Sequence, residues 1–370
     1  MRKICCFCER WESGGIESFL FNLLTHMDLS EFQVDIVAAQ VKKSIFTAGL
    51  LKCGVSLIEL GGSKYNIFKN RQAFKRLLRD RNYSAVYINA FQGMSLYYAK
   101  LAKRNGVPLV IAHSHNAALR PGIGYGLKMC LHHTYSAHFS QYADRFWACS
   151  EAAAKFMFPQ KLLEKCGFTF IPNGIDVQRF QFEPEARERI RQAFGIENSF
   201  LIGCVGRLCY QKNQMFALRL LADVLGRDQT FMLVFAGDGA DKEKLRNEAQ
   251  RLGISSRVLF LGATDRVNEL YSAMDMLAFP SRFEGFGIVA IEAQASGLPV
   301  LCSDRVPKEA VCTRLCERLP LDRKAWADAL IHRKHLGQEE RAAASAEAVQ
   351  ELKRIFDMAH VAKTIQGAFS

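Results

Sequence analysis

Two carboxylates, Glu284 and Glu292, flank the turn of a stretch, Met276 to Cys302, that changes its pattern twice. Met276, Leu277, Ala278 and Phe279 form an apolar run stopped by Pro280 and Ser281, as a buried strand ends. From Gly287 onward Ile288, Ile291 and Ala295 recur at helical spacing, which predicts an amphipathic helix. Gly285 and Gly287 let the backbone come close to a ligand, and the free N–H groups of a helix start attract negative charge, equivalent to about half an elementary charge. Both glutamates are expected to face the ligand at different depths. A phosphate beside carboxylates able to grip hydroxyls suggests a nucleotide sugar. The plainer role for Glu284 is to answer the helix dipole.

Other residues at the ends of apolar runs fit the same chemistry. Arg207 and Lys212 follow the run Phe200 to Val205. Together they suit a diphosphate, Arg gripping two oxygens and Lys acting as a point charge; either alone would read as a solvated surface cation. His113 and His115 lie on an extended segment, and we expect them to face opposite ways, so that only one reaches the ligand and the other packs. Gly14 and Gly15 precede a helix pattern without the G-x-G-x-x-G of a dinucleotide fold, and count only in company.

Elements that alternate between strand and helix must position these groups. Strands are expected at 3–8, 34–38, 55–60, 85–89, 109–112 and 146–149, then at 200–205, 232–236, 258–261, 276–279 and 300–302. Such alternation gives an α/β fold of two doubly wound, Rossmann-like parallel sheets, with ligands outside the carboxyl ends of the strands in a central cleft. Pro172-Asn173-Gly174 marks the division, so domains are expected at 1–172 and 173–350. From about Lys324 the pattern is helical to the end, and a final helix at 351–370 is expected to pack back on the first domain.

No apolar run approaches the roughly 18 residues of a spanning helix, and the run after Met1-Arg2-Lys3 is cut by Glu9 and Arg10, so a cytoplasmic protein is expected. The 12 cysteines fall mostly in apolar runs and read as reduced core residues; Cys312 and Cys316 are the only pair spaced to raise a metal. The net charge of +12 is uneven: residues 1–170 hold 22 Lys and Arg against 11 Asp and Glu, the remainder 27 against 26. An anionic partner for the first half follows, a phospholipid surface or nucleic acid, the bland alternative being a merely soluble basic face.

The ordered set GGIE (14–17), HSHN (113–116), PNGID (172–176), VGRL…QKN (205–213), AGDG (236–239) and EGFGIVAIE (284–292) followed by ASGLPVLCSD resembles the retaining glycosyltransferases of family 4, with the GT-B fold, closest to the branch that builds capsular and exopolysaccharides. The resemblance implies transfer of a sugar from a nucleotide donor, UDP being expected, to a hydroxyl acceptor held by the first domain, without metal or other cofactor. No Asp-x-Asp occurs in the chain to hold Mg²⁺. By the same resemblance Arg207 and Lys212 match the diphosphate-binding cations, Glu284 the residue facing the donor sugar, and Glu292 the one holding the ribose hydroxyls. Gly285, Phe286 and Gly287 would offer backbone to the sugar and phosphates, Gly15 would close on the diphosphate, and Gly262 and Thr264 would lie near the base. The active-site histidine is assigned to His115, with His113 as the fallback. Asp176 is either a hinge residue or an acceptor contact.

Lys64, Lys69, Arg71, Lys75, Arg76, Arg79 and Arg81 crowd a segment in which Ile67, Phe68, Phe74, Leu77 and Leu78 can form one apolar stripe, with Lys100, Lys103 and Arg104 farther on. A helix both basic and apolar suits an anionic bilayer surface, each charge contributing about 1 kcal/mol. Peripheral contact with the cytoplasmic leaflet and a lipid-linked glycan acceptor are therefore expected. The same stripe can instead face its own core. Rival readings are a sugar-nucleotide epimerase or phosphorylase of the same architecture, and a nucleic-acid-binding protein; no aromatic-basic interleaving on a strand supports the last.

Overall fold

The computed structural model describes residues 1–12, 14–63, 65–333 and 335–369; Ser13 of the glycine-pair motif and Lys64 of the basic segment lie outside the described residues. The chain forms two compact units, 1–174 with 358–370, and 175–357. Each is a parallel sheet covered by helices.

The first unit orders its seven strands β3-β2-β1-β4-β5-β6-β7: β1 Arg2–Trp11, β2 Phe32–Val41, β3 Ser56–Glu59, β4 Ala85–Ala90, β5 Leu109–Ser114, β6 Arg145–Ala148 and β7 Thr169–Phe170. The second orders six as β10-β9-β8-β11-β12-β13: β8 Phe200–Val205, β9 Phe231–Ala236, β10 Val258–Gly262, β11 Met276–Phe279, β12 Val300–Ser303 and β13 Cys316–Leu319. The strand order reverses between β1 and β4 and again between β8 and β11, and at such switch points an open α/β sheet leaves a crevice outside the strand ends. Central strands β4, β8, β9 and β11 are buried at every position, as strands covered on both faces must be.

The pattern missed β7 and β13. Both are edge strands, β7 only two residues long and β13 with Glu317 and Arg318 turned to solvent, so neither carries an apolar run. The helical tail divides into Arg323–Ile331, Gln338–Phe356 and Met358–Phe369. The last helix buries Met358, Val361, Ala362, Ile365 and Phe369 in the core of the first unit, and the break falls at Asp357. All twelve cysteines are free thiols; Cys316 stands 3.8 Å from Cys302 on the adjacent strand, a neighbour that chain spacing did not suggest.

The basic segment corrects the expected single stripe. In the helix Ile67–Arg81, Asn70, Phe74 and Leu78 repeat every four residues and are buried, Phe74 meeting Phe7 edge-on at 5.7 Å. Phe68 is 85% exposed and Ile67 38%, at the open start of the helix. The stripe is thus divided, its later half in the core and its first turn outside. Among the described residues no helix is long and apolar enough to cross a membrane.

Candidate functional site

The loops that leave β8 and β11 side by side are tied together by polar side chains. Asn213 takes a left-handed conformation, φ 54°, rare for a residue with a Cβ, and its Nδ2 donates to Pro280 O at 3.0 Å. Arg282 returns the contact, its backbone N–H to Gln211 O at 2.8 Å and its Nη2 to Asn213 Oδ1 at 2.8 Å. Gln211 Nε2 donates to Phe283 O at 3.1 Å and reaches Glu284 Oε2 at 3.4 Å. A third loop, after β9, fits against the first so closely that a Cβ on Gly237 would stand 2.0 Å from Gly206 O, and one on Gly239 2.3 Å from Leu208 O. The glycines of AGDG are therefore required by loop packing.

Within this frame Lys212 Nζ lies 2.9 Å from Glu284 Oε1 and 4.8 Å from the centre of the Phe279 ring. Both side chains of the pair are largely buried, at 17% and 7% exposure. In such a setting the attraction is strong, and removing one partner leaves a costly charge behind. Lys212 is thus not a lone cation awaiting an anion: it already bridges to the carboxylate and has donors left over, since an ammonium carries three. Arg207 is exposed on the same loop.

Glu284 precedes the helix Ile288–Ala295. Gly287 caps that helix with φ +101°, and a Cβ there would meet Val306 Cγ1 at 3.1 Å and Phe279 Cε1 at 3.3 Å. Gly285 and Phe286 are buried, and the Phe286 ring turns inward to Phe356, so the backbone is what this turn can offer a ligand. The helix is not amphipathic as expected. It is buried on nearly all sides because the helix Gln338–Phe356 covers its other face, and only Ile288 and Glu292, one turn apart on a shared stripe, stay half-buried.

Burial pushes the Glu292 carboxyl up to about 7, against the hydrogen bond from Tyr271 and the charges of Arg179 and Lys212. Arg179 holds Asp265 O at 2.7 Å, in the loop after β10 that begins at Gly262, φ +75°. Asp176 Oδ1 accepts from Arg179 N at 3.2 Å, so it caps the short turn that carries this arginine.

In the first unit, apart from its chain neighbours and its own helix backbone, no described residue comes within 4 Å of where a Cβ on Gly15 would stand, at the start of the helix Gly15–His26. His113 and His115 do not face opposite ways: their ring centres are 4.0 Å apart. The strand period is two, so residues two apart share a face, and the expectation had the wrong parity. Depth separates them instead. His113 is fully buried between Tyr87 Oη at 2.6 Å and Ile171 O at 3.2 Å. His115 is half-buried, its Nε2 3.1 Å from Asn89 Oδ1 and its Nδ1 3.3 Å from Asn173 Oδ1. Burial lowers both imidazoles, His115 to about 3, so both are neutral at physiological pH. Tyr271, Asn89 and the bridging role of Gln211 escaped sequence reading: polar groups inside apolar runs look like any buried residue until a partner is found.

A family model described as glycosyl transferases group 1 matches residues 186–315, and one for glycosyltransferase family 4 matches residues 13–179. The chain is 31% identical over 338 residues to EpsF of Bacillus subtilis (strain 168), named as a glycosyltransferase, covering 89% of this chain and 86% of EpsF. It is 26% identical over 236 residues to the GDP-mannose-dependent alpha-(1-6)-phosphatidylinositol monomannoside mannosyltransferase of Mycolicibacterium smegmatis, 61% of this chain and 60% of that one. Among solved structures, HepE of Anabaena in complex with UDP-glucose superposes with a TM-score of 0.79 at 20% identity, over 100% of this chain and 99% of the other.

Proposed function

The chain belongs to glycosyltransferase family 4, and from that premise we propose that it moves a sugar from UDP to a hydroxyl of a lipid-linked glycan, with retention at the anomeric carbon and without a metal ion. The observation that carries this reading is the meeting of Lys212, Glu284 and the start of the Ile288–Ala295 helix at the β8/β11 switch point. Departure of UDP puts negative charge on the leaving phosphate. Lys212, Arg207 and the amide groups around Gly287 are fixed positive groups for that charge, the kind of preorganised stabilisation that supplies the largest share of catalysis in many enzymes. They take the place of a divalent ion. Glu284, held by Lys212 and Gln211, is oriented to accept from sugar hydroxyls, and Glu292 from those of the ribose. His115, neutral, lies on the acceptor side with Gly15. Retention then follows if the acceptor oxygen attacks the face from which phosphate departs, the acceptor proton passing to the leaving phosphate oxygen as the new glycosidic bond forms.

UDP is supported by the UDP-glucose complex of HepE, while the mycobacterial relative uses GDP-mannose, so the nucleotide needs a direct test. Thermal shift against a panel of nucleotide sugars, repeated in EDTA, is expected to show stabilisation by a UDP-sugar that EDTA leaves unchanged. At a hundred times the dissociation constant the gain is about 2.7 kcal/mol. Stabilisation by GDP-sugars alone, or loss of turnover in EDTA, would refute the nucleotide or the metal-free mechanism respectively. Released UDP without transfer to an acceptor would favour a relative that cleaves the donor.

Peripheral contact with the cytoplasmic leaflet of an anionic membrane is part of the proposal. Its support is the exposed first turn of the Ile67–Arg81 helix with Phe68 and Lys69, and, elsewhere in the same unit, Ile123, fully exposed, and Leu127 at 68%. Apolar side chains in water next to cations suit the interface of an anionic bilayer. Co-sedimentation with liposomes is expected to rise with anionic lipid content; indifference to it would remove the membrane from the reading.

A further inference from the structure

The Glu292 carboxylate has one hydrogen-bond partner among the described residues, the Tyr271 hydroxyl, which donates to Oε2 at 2.8 Å. Tyr271 is fully buried on the helix Val267–Ala273 and is fixed at both ends. Its carbonyl accepts from Arg341 Nη2 at 2.6 Å, and the same buried guanidinium donates to Met274 O at 2.7 Å and Ser296 O at 2.9 Å. Ser296 closes the helix that carries Glu292. Arg341 therefore pins the end of each helix to the other, which sets the distance across which the phenol reaches the carboxylate.

We propose that Tyr271 is a positioning residue for the donor: its hydroxyl holds one oxygen of Glu292 so that the other is presented to the vicinal hydroxyls of the ribose. This rests on the reading that Glu292 grips those hydroxyls. The terminal torsion of a glutamate is broad, so an unheld carboxylate samples many orientations, few of which aim an oxygen at the diol. The phenol removes that freedom before the ligand arrives. It acts on charge as well. Burial favours the neutral acid, whereas the Tyr271 hydrogen bond, with Arg179 and Lys212, favours the ionised form that accepts on both oxygens.

The test uses calorimetry on the full chain with UDP and GDP, and with the 3′-deoxy form of whichever binds. The wild-type protein is expected to lose about tenfold in affinity when the hydroxyl is removed, the worth of one hydrogen bond to a charged group. Tyr271→Phe is expected to lose about tenfold for the intact nucleotide and little more for the deoxy form, because the two losses are one. Glu292→Gln should show the same loss of discrimination, and the double variant should add nothing to either. In turnover, KM for the sugar nucleotide rises more than kcat falls. If wild type binds the intact and deoxy forms alike, the assignment of Glu292 to the ribose falls, and this inference with it. If wild type discriminates and Tyr271→Phe discriminates equally well, only the role of Tyr271 is overturned.

Discussion

In the second unit the loops leaving β8 and β11 are bound to each other by Gln211, Asn213, Arg282 and the Lys212–Glu284 pair. In the first unit the strand exits carry Ile45 and Tyr65, each 80% exposed, and farther on Phe68 and Ile123. The first arrangement suits the small charged ligand proposed for it. The second is open, apolar and basic, as the proposed membrane-bound partner would require. The same doubly wound architecture thus supports two kinds of surface, and the difference lies in how far loop side chains are buried against one another or stand in water.

The contrast can be broken most sharply at Lys212. Lys212→Ala is expected to cut transfer by a hundredfold or more in steady-state kinetics. It also leaves the Glu284 carboxylate buried without its counter-charge, at a cost of about 3 kcal/mol in denaturant unfolding. Adding Glu284→Gln to that variant should restore most of the stability and none of the transfer, separating the structural from the chemical role of the pair.

Glu292 sharpens the comparison by pH. Its carboxyl is raised from 4.5 to about 7 in the folded protein, so folding is favoured by protonation. The stability it contributes is full below about 4.5 and is lost as pH rises to about 7. Donor affinity should run the other way, falling as pH drops through about 7, if the ionised form grips the ribose. Glu292→Gln should flatten both profiles, measured by thermal unfolding and calorimetry over pH 4.5 to 8. By contrast His115 of the first unit, lowered to about 3, should stay neutral in an NMR titration over the same range.

Smaller effects separate the two histidines. His113→Ala strands the Tyr87 hydroxyl and the Ile171 carbonyl in the core and should cost about 1–3 kcal/mol of stability. His115→Ala, at a half-buried position, should cost less stability and more activity. Smallest of all, Phe68→Ser should leave unfolding within about 0.5 kcal/mol, as surface changes do, while reducing liposome binding.

Most of the strands were legible because central parallel strands are apolar runs, and a run needs no partner to be recognised. Those missed, β7 and β13, are edge strands whose side chains meet water. At the site, Glu284, Glu292, Arg207 and Lys212 stood out by residue type and spacing. That Lys212 pairs with Glu284, 72 residues away, required the adjacency of β8 and β11, which no local pattern encodes. The histidine pair was read with the wrong parity, although the period of a strand was enough to place both rings on one side.

By itself, then, the chain determined which segments are strands and helices and which polar residues stand at their exits, since periodicity and turn chemistry act over a few neighbours. Only the tertiary structure decided how deep each group lies and what it touches. Tyr271 is an ordinary helical tyrosine until the Glu292 carboxylate is found against its hydroxyl, and the apolar stripe of residues 67–78 is whole until the sheet covers half of it. Burial and pairing depend on distant parts of the chain, and it is burial and pairing that set charge, orientation and reactivity.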